Sequence, residues 1–117
     1  MFGEMLEKFL EDGTLSGEHK DEKISVIAGI HAKSGHEEEV RVLLHSLAEP
    51  SRQEAGCLQY HLLEDREVPG SFSTYEEWSS VQALHAHLSG TGARSVLAKA
   101  KPMLQREMEL KVLRMLL

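Results

Sequence analysis

Ile24-Ser25-Val26-Ile27-Ala28-Gly29-Ile30-His31-Ala32, followed by Lys33-Ser34-Gly35, is the stretch that decides the fold. Ile24, Val26, Ala28, Ile30 and Ala32 fall on alternate positions, and Ile27, Gly29 and His31 fall between them. A period of two sends successive side chains to opposite faces, so the stretch predicts a β-strand with one strongly apolar face. Lys33-Ser34-Gly35 turns the chain. Ser34 and Glu37 have the S-x-x-E spacing of a capping box, which predicts a helix start. Val40, Leu43, Leu44, Leu47 and Ala48 then recur at helical spacing as one stripe. Pro50 lies near the end of that stripe, where the last turn is expected to break or restart, because a mid-helix proline is costly.

Further along the chain, Gly56 marks a boundary. Cys57 to Leu63 predicts a second strand, Asp65 to Gly70 its turn, and Ser71 to Trp78 the hairpin partner. Ser79 with Gln82 offers another capping box, opening a helix through Val81, Leu84 and Leu88. Gly90-Thr91-Gly92 interrupts it, and Ala93 to Ala100 predicts one more helical segment. From Arg106 onward Met108, Leu110 and Val112 alternate with charged residues, as in a final strand.

Working back from Ile24, residues 14–23 are polar and charged and predict a linker. Before them Phe2, Met5, Leu6, Phe9 and Leu10 form a helical stripe whose polar side is acidic. The expected organisation is an N-terminal amphipathic helix and linker over 1–22 and a single domain over 23–117. The element order strand, helix, strand, strand, helix, strand predicts an α+β fold of the ferredoxin-like βαββαβ kind. Its four-stranded antiparallel sheet would have both helices on one face. Ile27, Leu63 and Tyr75 lie opposite the main apolar face, so the second face needs a partner. A symmetric homodimer is the economical one.

The chain has 117 residues and a formal charge of −6, which disfavours nucleic acid and anionic lipid as partners. No apolar run is long enough to span a bilayer. One cysteine, Cys57, allows no internal disulfide. With no basic leader at the N-terminus, a cytoplasmic protein is expected.

Two segments carry a family resemblance. Glu54-Ala55-Gly56-Cys57-Leu58-Gln59-Tyr60 resembles the E-x-G-C-x-x-Y segment of antibiotic biosynthesis monooxygenase domains. Tyr75-Glu76-Glu77-Trp78, followed by Ala83-Leu84 and His87, is similar to that family's E-x-W…A-L-x-x-H signature. The resemblance covers about residues 24–115 and implies a dimeric α+β barrel with a pocket between sheet and helices. The family holds cofactor-independent monooxygenases of quinols and aromatic polyketides, heme-degrading enzymes and isomerases of small phosphorylated sugars, besides members of no known activity. Heme-degrading members use an Asn, a Trp and a His where this chain has Ala28, His87 and Leu97, so no heme is implied. Quinol-oxygenase relatives often carry a second His in an S/T-P-H segment, where this chain has Gly90-Thr91-Gly92.

The resemblance implies a cofactor-independent monooxygenase of a small aromatic or quinol-like substrate. The alternatives are an isomerase or other non-redox enzyme on a small polar metabolite, and a non-catalytic dimeric binding module. His87 is the candidate base, since imidazole titrates near neutrality and can deprotonate a phenol or hydroquinone; its other reading is a helix-end packing residue. Trp78 could wall an aromatic ligand or simply fill the core. Tyr60 and Tyr75 could donate to a substrate oxygen, or pack in the hairpin with the hydroxyl at a wet edge. Glu76 could orient a neighbour or form a structural pair. Cys57 reads as a small apolar side chain. The histidines show no metal-ligand spacing, and His85 and His87 lie on different helix faces, so neither a metal nor a cofactor is expected.

Overall fold

The computed structural model describes residues 22–117. The N-terminal helix expected over 2–10 therefore lies outside the described residues. Ile24–His31 forms β1, Glu37–Arg52 α1, Cys57–Glu64 β2, Ser71–Trp78 β3, Val81–Ser89 α2 and Thr91–Ala100 α3. A 3-10 turn at Lys101–Met103 leads into β4, Glu109–Leu113. The strands make one antiparallel sheet in the order β2-β3-β1-β4. That order is the ferredoxin-like α+β fold, with the N- and C-terminal strands of each half separated by a strand of the other.

The alternation in β1 sorts the layers. Ile24, Val26, Ala28 and Ile30 are all buried, and they pair across the sheet with Trp78, Glu76, Thr74 and Phe72 on the same face. The helices cover this face, and the core beneath them has two lobes. Val40, Leu44 and Phe72 pack with Ala28 and Ile30 under the first half of α1. Ala48, Tyr60, Trp78, Val81 and Leu84 pack with Ile24 and Val26 under the end of α1 and α2. The opposite face carries Ile27, Leu63 and Leu113 at 42%, 51% and 41% exposure, the apolar surplus expected from the alternation.

The local starts and stops differ from expectation in three places. Ser34 and Glu37 do not form a capping box. Gly35 holds a φ of +90°, which delays the helix so that His36 is its N-cap, and Glu37 instead accepts the Gly35 amide at 2.9 Å. The acidic first turn, Glu37 to Glu39, suits the positive end of the helix dipole. Nor does Pro50 break α1, which runs on to Arg52, with the Ser51 hydroxyl donating to the Leu47 carbonyl at 2.6 Å. Finally, Ser80 rather than Ser79 caps α2, accepting the Ala83 amide at 3.1 Å. The Ser79 amide is still engaged with the Gly56 carbonyl at 2.8 Å, so the chain cannot turn into the helix one residue sooner.

A β-bulge also shifts the register between Cys57 and Gln59. Residues three apart in a regular strand face opposite ways. The extra residue at Leu58 lets both Cys57 and Tyr60 pair with residues of the helix-covered face, Trp78 and Glu76. Without the bulge Tyr60 would leave the core.

Candidate functional site

Four side chains converge in the second lobe, where the ends of β2 and β3 meet α2. Trp78 is fully buried, with Tyr60, Glu76 and His87 at 4% exposure each. The Glu76 carboxylate receives two neutral donors, the Trp78 indole Nε1–H at 2.9 Å and the Thr74 hydroxyl at 2.7 Å. An ionised carboxylate only accepts, so this arrangement satisfies Glu76 and fixes the plane of the indole. The expected orienting role of Glu76 therefore falls on Trp78, two residues ahead on the same face of the strand.

His87 lies in the last turn of α2 with its ring against both aromatics. Its centroid is 4.7 Å from that of Trp78, tilted by 32°, and 5.7 Å from that of Tyr60, edge-on at 64°. Its Nδ1 is 2.5 Å from Glu54 Oε1. Glu54 belongs to the loop between α1 and β2 and its side chain is 38% exposed. The loop is seated by Gly56, whose φ of +84° and close approach to α2 exclude a side chain. A Cβ there would lie 2.5 Å from that of Ala83. Arg52 ties the same corner together by donating to the Tyr60 carbonyl at 2.9 Å.

The electrostatics follow from this packing. Burial, and then the nearby Glu76 carboxylate, push the Tyr60 phenol well above its usual value, so it stays protonated as a donor. Burial, with Glu76 and Glu54 behind it, likewise raises the Cys57 thiol. A thiol kept protonated is a poor nucleophile, which accords with the apolar reading of Cys57.

Of the residues expected at the site, His87, Trp78, Tyr60 and Glu76 come together and Tyr75 does not. Tyr75 lies on the opposite face of the sheet, where its hydroxyl donates to Glu77 at 2.6 Å and its ring stacks on His61 at 6.4 Å. Strand alternation forces the separation from Glu76 and Trp78. Nor does the Tyr60 hydroxyl reach a wet edge, because the bulge turns the residue inward. Glu54 was missed by sequence reasoning as a site residue. Its place in the E-x-G-C segment was the only sign of it, since the contact with His87 spans 33 residues. A groove of about 420 Å³ opens elsewhere, between α1 and α3, lined by Glu38, Glu39, Val42, Leu43, Lys99 and Met103. None of the four convergent residues lines it. Among the described residues, no helix is long and apolar enough to cross a membrane.

Fold and site together define a ferredoxin-like α+β domain with an imidazole held between two aromatic rings and a carboxylate in its helix–sheet layer. The chain belongs to the antibiotic biosynthesis monooxygenase family, whose model matches residues 23–99. Protein sll1783 of Synechocystis sp. is 32% identical over 92 residues, 79% of this chain, which spans only 63% of that relative's length. Among solved structures, PA3566 from Pseudomonas aeruginosa is 33% identical with a TM-score of 0.77, over 86% of this chain and 100% of the other. A crystal structure of an antibiotic biosynthesis monooxygenase aligns at 26% identity and a TM-score of 0.77, over 80% of this chain and 99% of its own. Rv0793 from Mycobacterium tuberculosis gives 28% and 0.76, over 80% and 95%.

Proposed function

We propose that the chain is a cofactor-independent monooxygenase of a small aromatic or quinol-like substrate, with His87 as its base. The observation that carries this reading is the His87 imidazole, held at Nδ1 by Glu54 and flanked by Trp78 and Tyr60. A substrate that reduces dioxygen directly must first become an electron-rich anion. A neutral imidazole can take that phenolic proton. The anion passes one electron to dioxygen, and the radical pair closes to a carbon-bound peroxide anion. The imidazolium returns its proton to give the hydroperoxide, and loss of water leaves a carbonyl. The balance is substrate-H2 plus O2 giving substrate=O plus H2O, so no external reductant enters.

The aromatic walls suit a flat substrate, and the protonated Tyr60 phenol suits a substrate oxygen. His87 and Trp78 are packed away from solvent, and Glu54 is the partly exposed member of the cluster. The same tight packing favours a second reading, a non-catalytic binding module in which these side chains only fill the core. Oxygen uptake with a panel of hydroquinones at neutral pH separates the two. Wild type should consume one O2 per substrate, and His87→Ala should be slower by about 10²–10⁴-fold, the usual worth of a positioned base. Equal rates in the mutant would remove His87 from the mechanism, and a wild type without turnover would leave the binding reading.

The open sheet face supports a homodimer. Ile27, Leu63 and Leu113 sit exposed there, opposite the helix layer, and a second copy can cover them with the same face. Sedimentation should give twice the chain mass for wild type and the monomer mass for Ile27→Asp, with far-UV dichroism unchanged. A monomeric wild type would end this part of the proposal.

A further inference from the structure

We infer that Glu54 is the positioning residue that fixes the tautomer of His87, leaving Nε2 as its proton-accepting atom; this rests on the proposed base role of His87. A free neutral imidazole in water carries its proton preferentially on Nε2, which leaves Nδ1, next to the backbone, as the acceptor. The geometry here reverses that preference. Glu54 Oε1 lies 2.5 Å from Nδ1. An ionised carboxylate offers only lone pairs, so the short contact requires the hydrogen on Nδ1. The lone pair is then on Nε2, the ring atom farthest from the Cβ stem. Such outer partners fix both the tautomer and the orientation of a working imidazole.

The setting makes the contact selective. The His87 side chain is 4% exposed, its ring packs against Trp78 and Tyr60, and Glu54 is the carboxylate that reaches its Nδ1. The other carboxylate of the lobe, Glu76, is committed to Trp78 and Thr74. Glu54 itself is held by the Gly56 turn, while its side chain keeps 38% exposure at the outer edge of the lobe. Removing it opens no core cavity, so fold and tautomer can be tested separately.

The experiment reads the ring directly. In the 15N-labelled full chain at alkaline pH, long-range 1H–15N correlations report which imidazole nitrogen carries the proton, and the His87 signals are those lost in His87→Ala. Wild type should show the Nδ1–H form, and Glu54→Ala should shift the ring to Nε2–H. In the oxygen-uptake assay Glu54→Ala should lose about 10–100-fold in kcat with little change in KM. Glu54→Gln keeps an acceptor oxygen at the same reach and should retain the Nδ1–H form and more of the kcat than Ala does. An Ala variant with the wild-type tautomer overturns the inference, as does a Gln variant no better than Ala in the ring signals. A collapsed amide spectrum in Glu54→Ala also overturns it, by making Glu54 structural. If no substrate is turned over, the base reading fails, and the ring signals still decide what Glu54 does.

Discussion

Glu76 and Glu77 are neighbours in β3, both more than 90% buried, and they differ in everything else. Glu76 faces the helices and is satisfied by neutral donors, the Trp78 indole and the Thr74 hydroxyl. Glu77 faces the open side of the sheet. It accepts from Tyr75 at 2.6 Å and Gln59 at 3.0 Å, with the Lys23 ammonium at 3.3 Å. One carboxylate is an internal fixture that locks an aromatic ring in a dry lobe. The other is the centre of a polar cluster on a face that also carries exposed Ile27 and Leu63. Two identical residues one position apart thus serve two layers, and the pleat of the strand alone divides them. The proposed chemistry rests on the first side, where the imidazole is buried, and the proposed association rests on the second, where polar groups are tied to one another among exposed apolar neighbours.

The largest expected break in this comparison is on the helix face. Trp78→Ala empties the centre of the second lobe, where the indole is fully buried, and should cost about 3–5 kcal/mol in denaturant unfolding. Glu76→Ala keeps the ring but strands the indole N–H and the Thr74 hydroxyl, and should cost less, about 1–3 kcal/mol. Reversal of that order would mean that the carboxylate, not the ring, organises the lobe. Equal small losses for both would mean that the lobe is loosely packed, and with it the positioning of His87.

Much of this division is legible in the sequence. Alternation in Ile24 to Ala32 fixed which side of β1 is core, and the same rule applied to Ser71–Trp78 separates Tyr75 and Glu77 from Glu76 and Trp78. The grouping of Tyr75 with Trp78 as pocket residues failed because it followed the motif rather than the period. What could not be read are features set by a single residue of backbone register or by distant contacts. The bulge at Leu58 is one. It has no hydrophobic signature of its own, yet it decides that Tyr60 points inward. The choice of Ser80 over Ser79 as cap is another, fixed by the hydrogen bond of the Ser79 amide to Gly56 across the loop. Glu54 meets His87 only because Gly56 brings the loop against α2, a tertiary fact that neither helical nor strand spacing encodes.

The smallest expected effect lies on the open face and concerns pH. The Glu77 carboxyl is held below its usual range, first by the Tyr75 hydroxyl and then by Lys23 and His61, while the Tyr75 phenol is held above its own range by Glu77. A depressed carboxylate contributes stability that is present above its unfolded value, about 4.3, and lost as pH falls through the folded value. A raised phenol contributes stability that is present below its unfolded value, about 10, and lost as pH rises through the folded one. One hydrogen bond therefore adds a slope at each end of the stability profile, falling toward acid below about pH 4–5 and toward alkali above about pH 10. Tyr75→Phe removes that bond and leaves the ring to stack on His61. Urea midpoints measured from pH 2 to 11 should show a flatter acid arm and a flatter alkaline arm in the variant, with the two proteins nearly parallel between them. Lys23 is half exposed and meets Glu77 in both proteins, so added salt should flatten both acid arms, while the difference made by the Tyr75 hydrogen bond persists. A variant whose acid arm matches wild type would assign the slope to other carboxylates and leave Glu77 held by Lys23, Gln59 and His61 rather than by Tyr75.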